Sequence, residues 1–271
     1  MSSQKRSILV PYDFTPLSEY SLEFAVQIAR LINNNIILVH VITKPSMEDV
    51  VHKELEKIAD KSKNRYKFKP QIMVLTGKVI NVIKEFAFQV DASLVVMKTA
   101  GPKGSQRYFG SRAIKIIYRS RIPFIVVQDK PKNKPFENII LPIDFRQENK
   151  EKLKWINFLY KYRKFRIHLI RPNADDYKTR NNIAFAKHYL ENRDIEYTIT
   201  KAPKKVNFVS YTLDYSKDND ADFILVMMSR NIDSIKFLLG LNEQRYITNA
   251  YKIPVFCLNP RSDINRFGGF T

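Results

Sequence analysis

The sequence predicts an α/β protein of two tandem domains, each a doubly wound parallel sheet of five strands. Short apolar runs alternate with amphipathic segments through the first half, which is typical of parallel strands joined by crossover helices. The pattern then starts again: ILVPYDF at Ile8–Phe14 returns as IILPIDF at Ile139–Phe145. This offset of 131 residues also places Ile122-Pro123 on Ile253-Pro254. An offset that holds at the start and the end of a half indicates duplication of one domain.

The first half begins with a strand that ends on a carboxylate, Asp13, followed by Thr15-Pro16 as N-cap and first residue of a helix through Ile32. Its five strands are predicted at Ser7–Asp13, Asn35–Val41, Pro70–Thr76, Leu94–Met97 and Pro123–Val127. Its later helices are predicted at Met47–Lys63, at Val79–Val90 and from Ser111 onward.

A linker, QDKPKNKP at Gln128–Pro135, separates the halves because it is charged, holds two prolines and lacks apolar periodicity. We therefore predict domains at 1–130 and 136–260 and a tail at 261–271. The second-half strands are predicted at Asn138–Ile143, Phe165–Ile170, Glu196–Thr200, Asp222–Met227 and Pro254–Leu258. The helices are predicted at Gln147–Tyr160, Thr179–Asn192, Asn207–Lys217 and Asn242–Tyr251.

Composition indicates an ordinary globular protein. The 271 residues are 44% hydrophobic, and neither a membrane-length apolar run nor a signal-peptide pattern is present. A single cysteine, Cys257, cannot form an internal disulfide, which favours a cytoplasmic location. The net charge of +19 favours anionic partners, but the basic residues are spread along the chain, so charge alone does not indicate nucleic acid or an anionic membrane surface.

The stretch Leu94–Ser111 concentrates three of the seven glycines, Gly101, Gly104 and Gly110, after an apolar run and before a helical pattern. Glycines let backbone N–H groups approach an anion, and a helix start adds unpaired N–H groups. Strand, glycine loop and helix therefore indicate phosphate binding, with a plain connecting loop as the alternative. Parallel sheets place ligands at the carboxyl ends of their strands, where Asp13 and His40 also fall.

Taken together, these motifs resemble the universal stress protein family, here as a tandem of two domains. The resemblance rests on a strand ending in ILVPYD, a second containing LVHV, VVM before the glycine loop, the Gly110-Ser111 pair and the closing IPFIVV. It implies the adenine nucleotide alpha hydrolase-like fold and, in nucleotide-binding members, a loop that holds the phosphates of ATP or AMP. That loop reads Gly, two residues, Gly, nine residues, then Gly-Ser or Gly-Thr.

The resemblance assigns roles to eight residues of this sequence. Asp13 would meet the ribose or adenine, Val41 would flank the adenine, and Pro11 would shape the base pocket. Lys98 stands at the first glycine position of the loop, where an ammonium could contact a phosphate oxygen. The remaining loop residues are Gly101, Gly104, Gly110 and Ser111, with eight residues between Gly101 and Gly110, one fewer than in the family pattern.

The second half lacks these glycines. Its corresponding segment, SRNIDSIKFLLGLN at Ser229–Asn242, keeps Gly240 for Gly110 only after a one-residue shift, and Leu241 then replaces Ser111. Arg171 stands where the first half has His40. We therefore expect the second domain to keep the fold without the site. Asp13, repeated as Asp144, has a structural alternative as a helix cap, and His40 has one as an inert strand-end residue.

No nucleophile elbow, P-loop lysine motif, metal-ligand spacing or catalytic carboxylate pair is present in the sequence. We therefore expect a stress-response or regulatory protein that binds an adenine nucleotide, with no catalytic residues, no required metal and at most slow ATP hydrolysis. The alternative is a scaffold or interaction module with both sites degenerate. The family resemblance further implies a homodimer, or an internal pseudo-dimer in which Pro123–Val127 pairs with Pro254–Leu258.

Overall fold

The structure, a computed structural model, describes residues 5–99, 120, 122–144, 146, 149–174, 176–228 and 242–259. The chain divides into two compact units, Met1–Pro131 and Lys132–Thr271. Each unit is a mixed α/β fold around a parallel sheet, as predicted. The glycine loop, the helix expected after Ser111, the Ser229–Leu241 segment and the tail at 261–271 lie outside the described residues.

In the first unit, five strands and three helices are described. The strands are β1 Ser7–Pro11, β2 Asn35–Ile42, β3 Gln71–Thr76, β4 Leu94–Lys98 and β5 Phe124–Val127. The helices are α1 Pro16–Ile32, α2 Glu48–Tyr66 and α3 Val79–Gln89, with a short 3-10 turn at Pro45–Met47. The order of the strands is β3-β2-β1-β4-β5, and all are parallel.

The strand order reverses beside β1, which pairs with β2 on one side and β4 on the other. These strands have fully buried centres because helices cover both faces of a doubly wound sheet. The edge strand β3 instead alternates between exposed and half-buried residues. The carboxyl ends of β1 and β4 therefore flank the switch in strand order, where such sheets bind ligands.

Helix α1 begins as predicted, with Thr15 at the N-cap and Pro16 as the first helical residue. The Thr15 side chain makes no capping hydrogen bond; its hydroxyl donates instead to Asp13. The helix ends at Asn33, which adopts a left-handed conformation (φ 54°) and donates its N–H to the carbonyl of Ala29. The Thr15 side chain therefore bonds Asp13, which follows β1, and does not cap the helix.

The second unit repeats this architecture in the order β8-β7-β6-β9-β10, again all parallel. Its strands are β6 Asn138–Pro142, β7 Arg166–Arg171, β8 Tyr197–Lys201, β9 Phe223–Met227 and β10 Val255–Leu258. Its described helices are α4 Asn149–Tyr160, α5 Tyr177–Glu191, α6 Phe208–Asp218 and α7 Asn242–Ile247.

Several predicted boundaries were wrong by one to four residues, and two of them have a clear structural reason. The first strand ends at Pro11 rather than at Asp13, because the chain turns there and Asp13 joins a side-chain network. The last helix ends at Ile247, not Tyr251: the Asn249 side chain bonds the carbonyl of Tyr246 and both the N–H and the carbonyl of Ile253, which holds the chain in a turn. No helix among the described residues is long and apolar enough to cross a membrane.

Candidate functional site

The first unit contains a cavity of about 100 Å³ at the carboxyl edge of its sheet. Six of its lining residues have apolar side chains, and Tyr12, Asp13, His40 and Lys98 add polar atoms. The lining residues are Pro11, Tyr12, Asp13, Val39, His40, Val41, Val79, Ile83, Met97 and Lys98. A mostly apolar lining with a few polar groups suits a ring that carries a polar substituent.

Asp13 lines this cavity and is held by the start of α1. Its Oδ1 accepts hydrogen bonds from the Ser18 hydroxyl at 2.5 Å, the Thr15 hydroxyl at 2.8 Å and the Thr15 N–H at 3.3 Å. The Ser18 hydroxyl also accepts the N–H of Asp13 at 3.2 Å. The carboxylate is therefore anchored by neighbours within five residues along the chain.

Lys98 extends from the end of β4 to the same carboxylate. Its Nζ lies 2.7 Å from Oδ1 and 2.6 Å from Oδ2 of Asp13, and it also donates to the Thr15 hydroxyl. The Lys98 side chain is only 6% exposed, whereas the Asp13 side chain is 29% exposed. The switch point of the first sheet thus carries a largely buried ion pair.

The protonation of Asp13 follows from these contacts. Burial alone would raise its pKa, but hydrogen bonds from Lys98, Ser18 and Thr15 outweigh burial and hold the pKa below its usual range. Burial, with the nearby Glu19 and Asp13 carboxylates, raises the pKa of Tyr12 to about 12. At neutral pH the site therefore presents the Asp13 carboxylate and the neutral Tyr12 phenol.

The Phe14 ring contacts two of the residues that line the cavity. The Phe14 ring lies 5.0 Å from the His40 ring and 5.5 Å from that of Tyr12, measured between centroids. Phe14 is 40% exposed and has a positive φ of 61°, which is rare for a bulky residue. His40 Nδ1 lies 2.7 Å from the carbonyl oxygen of Tyr12, so the imidazole ring is held against the chain that follows β1.

The structure brings together four residues that the sequence singled out as a site: Pro11, Asp13, Val41 and Lys98. The other four, Gly101, Gly104, Gly110 and Ser111, lie outside the described residues. Sequence reasoning missed the cavity walls contributed by α3, Val79 and Ile83, and the pairing of Lys98 with Asp13. A lysine ending an otherwise apolar buried strand is the signal that could have indicated that pairing.

The second unit carries a corresponding carboxylate, Asp144, but a different cation. Ile8 on β1 pairs with Leu94 on β4, and the equivalent residue of the second unit, Ile139 on β6, pairs with Phe223 on β9. Residues of β4 and β9 therefore correspond at an offset of 129 residues, whereas the first strands correspond at an offset of 131. Met227, four residues after Phe223, therefore occupies the position of Lys98. The cation is instead Arg146, which stands at the position of Thr15.

Arg146 links two carboxylates of the second unit. Its Nε lies 2.9 Å from Oδ2 of Asp144, and its Nη1 lies 2.8 Å from Oε1 of Glu243. The Asn149 amide donates to Oδ1 of Asp144 at 2.7 Å, and Asn182 donates to the Asp144 carbonyl at 2.8 Å. Burial would raise the pKa of Asp144, but the charge and hydrogen bonds of Arg146 lower it below its usual range.

Beneath this network lies a buried lysine, Lys152, on α4. Its side chain donates to the carbonyl oxygen of Pro142 and is 1% exposed. Burial lowers its pKa to about 7, since the charged form loses hydration that Asp144 only partly replaces. Ser21 occupies the corresponding position of the first unit. The two units therefore surround the carboxylate that follows their first strand with different side chains.

No group of three or more His, Cys, Asp or Glu side chains that could hold a metal ion occurs among the residues described. Cys257 is free and buried, and burial raises the pKa of its thiol, so it is unsuited to nucleophilic chemistry.

Comparison with known proteins identifies the first unit. Residues 5–128 match the family model described as Universal stress protein family. No curated protein sequence matches the chain.

Solved structures share the fold across nearly the whole chain. A universal stress protein from Archaeoglobus fulgidus DSM 4304 is 16% identical, with a TM-score of 0.76 over 96% of this chain and 98% of its own. A protein of unknown function from Pseudomonas aeruginosa PAO1 is 12% identical, with a TM-score of 0.63 over 94% of this chain and 93% of its own. A universal stress protein in complex with cAMP matches 46% of this chain and 98% of its own, at 21% identity and a TM-score of 0.40. The first unit thus matches the universal stress protein family in sequence, and the whole chain shares its fold with the two longer structures.

Proposed function

We propose that the first unit binds an adenine nucleotide, ATP or AMP, and that the protein acts in a stress response as a ligand-responsive regulator. The observation that carries this proposal is the cavity at the switch point of the first sheet, which is lined by six apolar side chains and by the Asp13–Lys98 pair. A purine ring fits between apolar side chains, and a carboxylate in the lining can accept hydrogen bonds from ribose hydroxyls.

In this proposal, Pro11 and Val41 flank the base, and Val79 and Ile83 of α3 complete the apolar lining. Asp13 accepts from the ribose, and Lys98 is the cation nearest to it. The phosphates would be held by the segment with Gly101, Gly104, Gly110 and Ser111, as the family resemblance implies. No catalytic residue is assigned, so any ATP hydrolysis would be slow.

Calorimetric titration with AMP, ADP and ATP tests the proposal in the intact chain. Val41→Phe, which adds a ring inside the cavity, should weaken AMP binding by about tenfold or more, since an overfilled apolar site has no room for the base. Val50→Phe is the matched control, because Val50 is 62% exposed on α2 and makes no part of the cavity lining.

The alternative is a scaffold that has lost nucleotide binding in both units. It is favoured by the same ion pair, because Asp13 already has a cationic partner within its own chain. Absence of binding at millimolar AMP, ADP and ATP, or binding that Val41→Phe leaves unchanged, would replace the first function with this one.

The oligomeric state stays a prediction from the family resemblance. Light scattering of the purified chain distinguishes a monomer of 31.9 kDa from a homodimer of twice that mass.

A further inference from the structure

We propose that Lys98 determines ligand specificity in the first unit by imposing a charge requirement. An anionic ligand can draw the ammonium away from Asp13 and then use the freed carboxylate, whereas an uncharged ligand has to compete with Lys98 for that carboxylate. This inference rests on the proposed nucleotide site and concerns which ligands the site admits.

The position of Lys98 supports the first step. Its side chain is 6% exposed, lines the cavity and contacts both oxygens of Asp13 at 2.6 and 2.7 Å. A lysine ammonium has three N–H donors, and the two Asp13 oxygens and the Thr15 hydroxyl oxygen are three acceptors for them. A ligand hydroxyl that reaches Asp13 therefore meets a carboxylate already bound to a full positive charge.

The surroundings of Asp13 support the second step. Its Oδ1 also accepts from the Ser18 hydroxyl at 2.5 Å and from the Thr15 hydroxyl and N–H at 2.8 and 3.3 Å. These donors belong to the start of α1 and do not depend on Lys98. The carboxylate therefore keeps its orientation when the ammonium moves, and the exchange costs one ion pair and the hydrogen bond from Lys98 to the Thr15 hydroxyl.

A lysine is suited to such an exchange. Its charge sits at the end of a flexible four-carbon chain and interacts without a fixed fork geometry, so it can move between anionic partners a few ångströms apart. A phosphate group restores the lost ion pair, because breaking a largely buried pair without a substitute is costly. Adenosine offers no such substitute, and AMP does.

The second unit indicates which substitution the fold tolerates. Met227 occupies the corresponding end of β9, fully inside the sheet, so Lys98→Met places a side chain there that this fold already accommodates. Lys98→Gln is a second variant, which removes the charge while keeping a hydrogen-bond donor toward Asp13.

Lys69→Met serves as the control. Lys69 also pairs with an aspartate, its Nζ lying 2.6 Å from Oδ1 of Asp60, but its side chain is 52% exposed and lies outside the cavity lining. The control therefore removes the same charge and the same kind of pair from the intact chain.

The experiment measures Kd for AMP and for adenosine by calorimetry with the wild type and the three variants. We expect the wild type to prefer AMP, and Lys98→Met and Lys98→Gln each to reduce the AMP-to-adenosine preference by about tenfold or more, the size expected for one charge-assisted hydrogen bond. Adenosine should bind these two variants more tightly than the wild type, and Lys69→Met should match the wild type.

An unchanged preference in the Lys98 variants, with AMP still bound, overturns this inference and leaves the proposed function standing. Wild-type protein that binds adenosine as tightly as AMP overturns it equally. If neither ligand binds any of the four proteins, the proposed function fails, and the inference fails with it.

Discussion

Arg146 in the second unit neutralises Asp144 from the position that Thr15 holds in the first unit, whereas Lys98 neutralises Asp13 from the end of β4. Both carboxylates follow the first strand of their sheet, and both have a pKa held below its usual range, against burial, by the paired cation and, for Asp13, also by hydrogen bonds from Ser18 and Thr15. The duplicated site has thus kept a paired carboxylate while the residue that supplies the charge has changed. Lys98 lines an open cavity, and Arg146 instead joins two carboxylates of its own unit.

We predict that Arg146 stabilises the second unit. Arg146→Thr, which installs the first unit's residue, should lower the free energy of unfolding by about 2 kcal/mol, because it leaves Asp144 and Glu243 without their shared partner in a largely buried setting. Urea unfolding of the intact chain, followed by amide exchange in β6 and β9, measures the loss and assigns it to this unit.

A second change should recover part of that loss. Met227→Lys in the Arg146→Thr background recreates the Lys98 and Thr15 arrangement of the first unit, and a double-mutant cycle isolates the restored pair. Arg166→Thr is the control, since its pair with Glu196 has both side chains at least half exposed and should change stability by less than about 0.5 kcal/mol. Equal losses for Arg146→Thr and Arg166→Thr would contradict a special role for Arg146.

The elements of this fold were predictable from sequence because buried parallel strands leave a clear apolar signature. The strands near Ile8, Leu38, Ile139 and Leu169 lie where they were predicted, and the repeated Asp13 and Asp144 follow the first strand of each sheet.

The partners of these carboxylates were not predictable in the same way. The Lys98–Asp13 pair joins residues 85 positions apart, and its existence depends on the face of β4 from which Lys98 projects. Adding the constant offset of 131 residues to Lys98 does not give Met227, because the sequence spacing between β6 and β9 is two residues shorter than that between β1 and β4. Strand register, which the structure supplies, is what identifies equivalent residues here.

We predict that Lys152 makes the stability of the second unit depend on pH. Its pKa is lowered to about 7 in the folded protein by burial, against about 10.5 for an exposed lysine. Between these values the unfolded chain binds more protons than the folded one, so unfolding free energy rises with pH above about 7, by up to about 1.4 kcal/mol per pH unit.

Lys152→Met removes this contribution and keeps an apolar chain of similar length in the site. The difference in unfolding free energy between wild type and Lys152→Met should therefore shift in favour of the wild type from pH 6 to pH 9. Lys154→Met on the same helix is the control, because Lys154 is not fully buried. If the difference in unfolding free energy between the wild type and Lys152→Met stays constant from pH 6 to pH 9, Lys152 does not titrate in that range.

We predict that His168 makes the second unit sensitive to acid. Its side chain stands where the first unit has Ile37, with Nδ1 3.0 Å from the Tyr215 hydroxyl and Nε2 3.1 Å from Oδ1 of Asn138. Burial, aided by the charge of Arg166 and opposed by Glu196, lowers its pKa below the usual value near 6.5. The unfolded chain therefore takes up a proton first as pH falls, and stability present above about pH 6.5 is lost below it.

His168→Ile introduces the residue of the first unit and removes the titrating group. It also removes the hydrogen-bond partner of Tyr215 and Asn138, so its unfolding free energy at pH 7 alone does not report on titration. The measure is the loss of unfolding free energy between pH 7 and pH 5, which should be smaller by about 1 kcal/mol in His168→Ile than in the wild type. His188→Gln, at an exposed position of α5, should lose as much as the wild type. Because the carboxylates of the chain are unchanged in all three proteins, equal losses for His168→Ile and the wild type would assign the acid sensitivity to those carboxylates and not to His168.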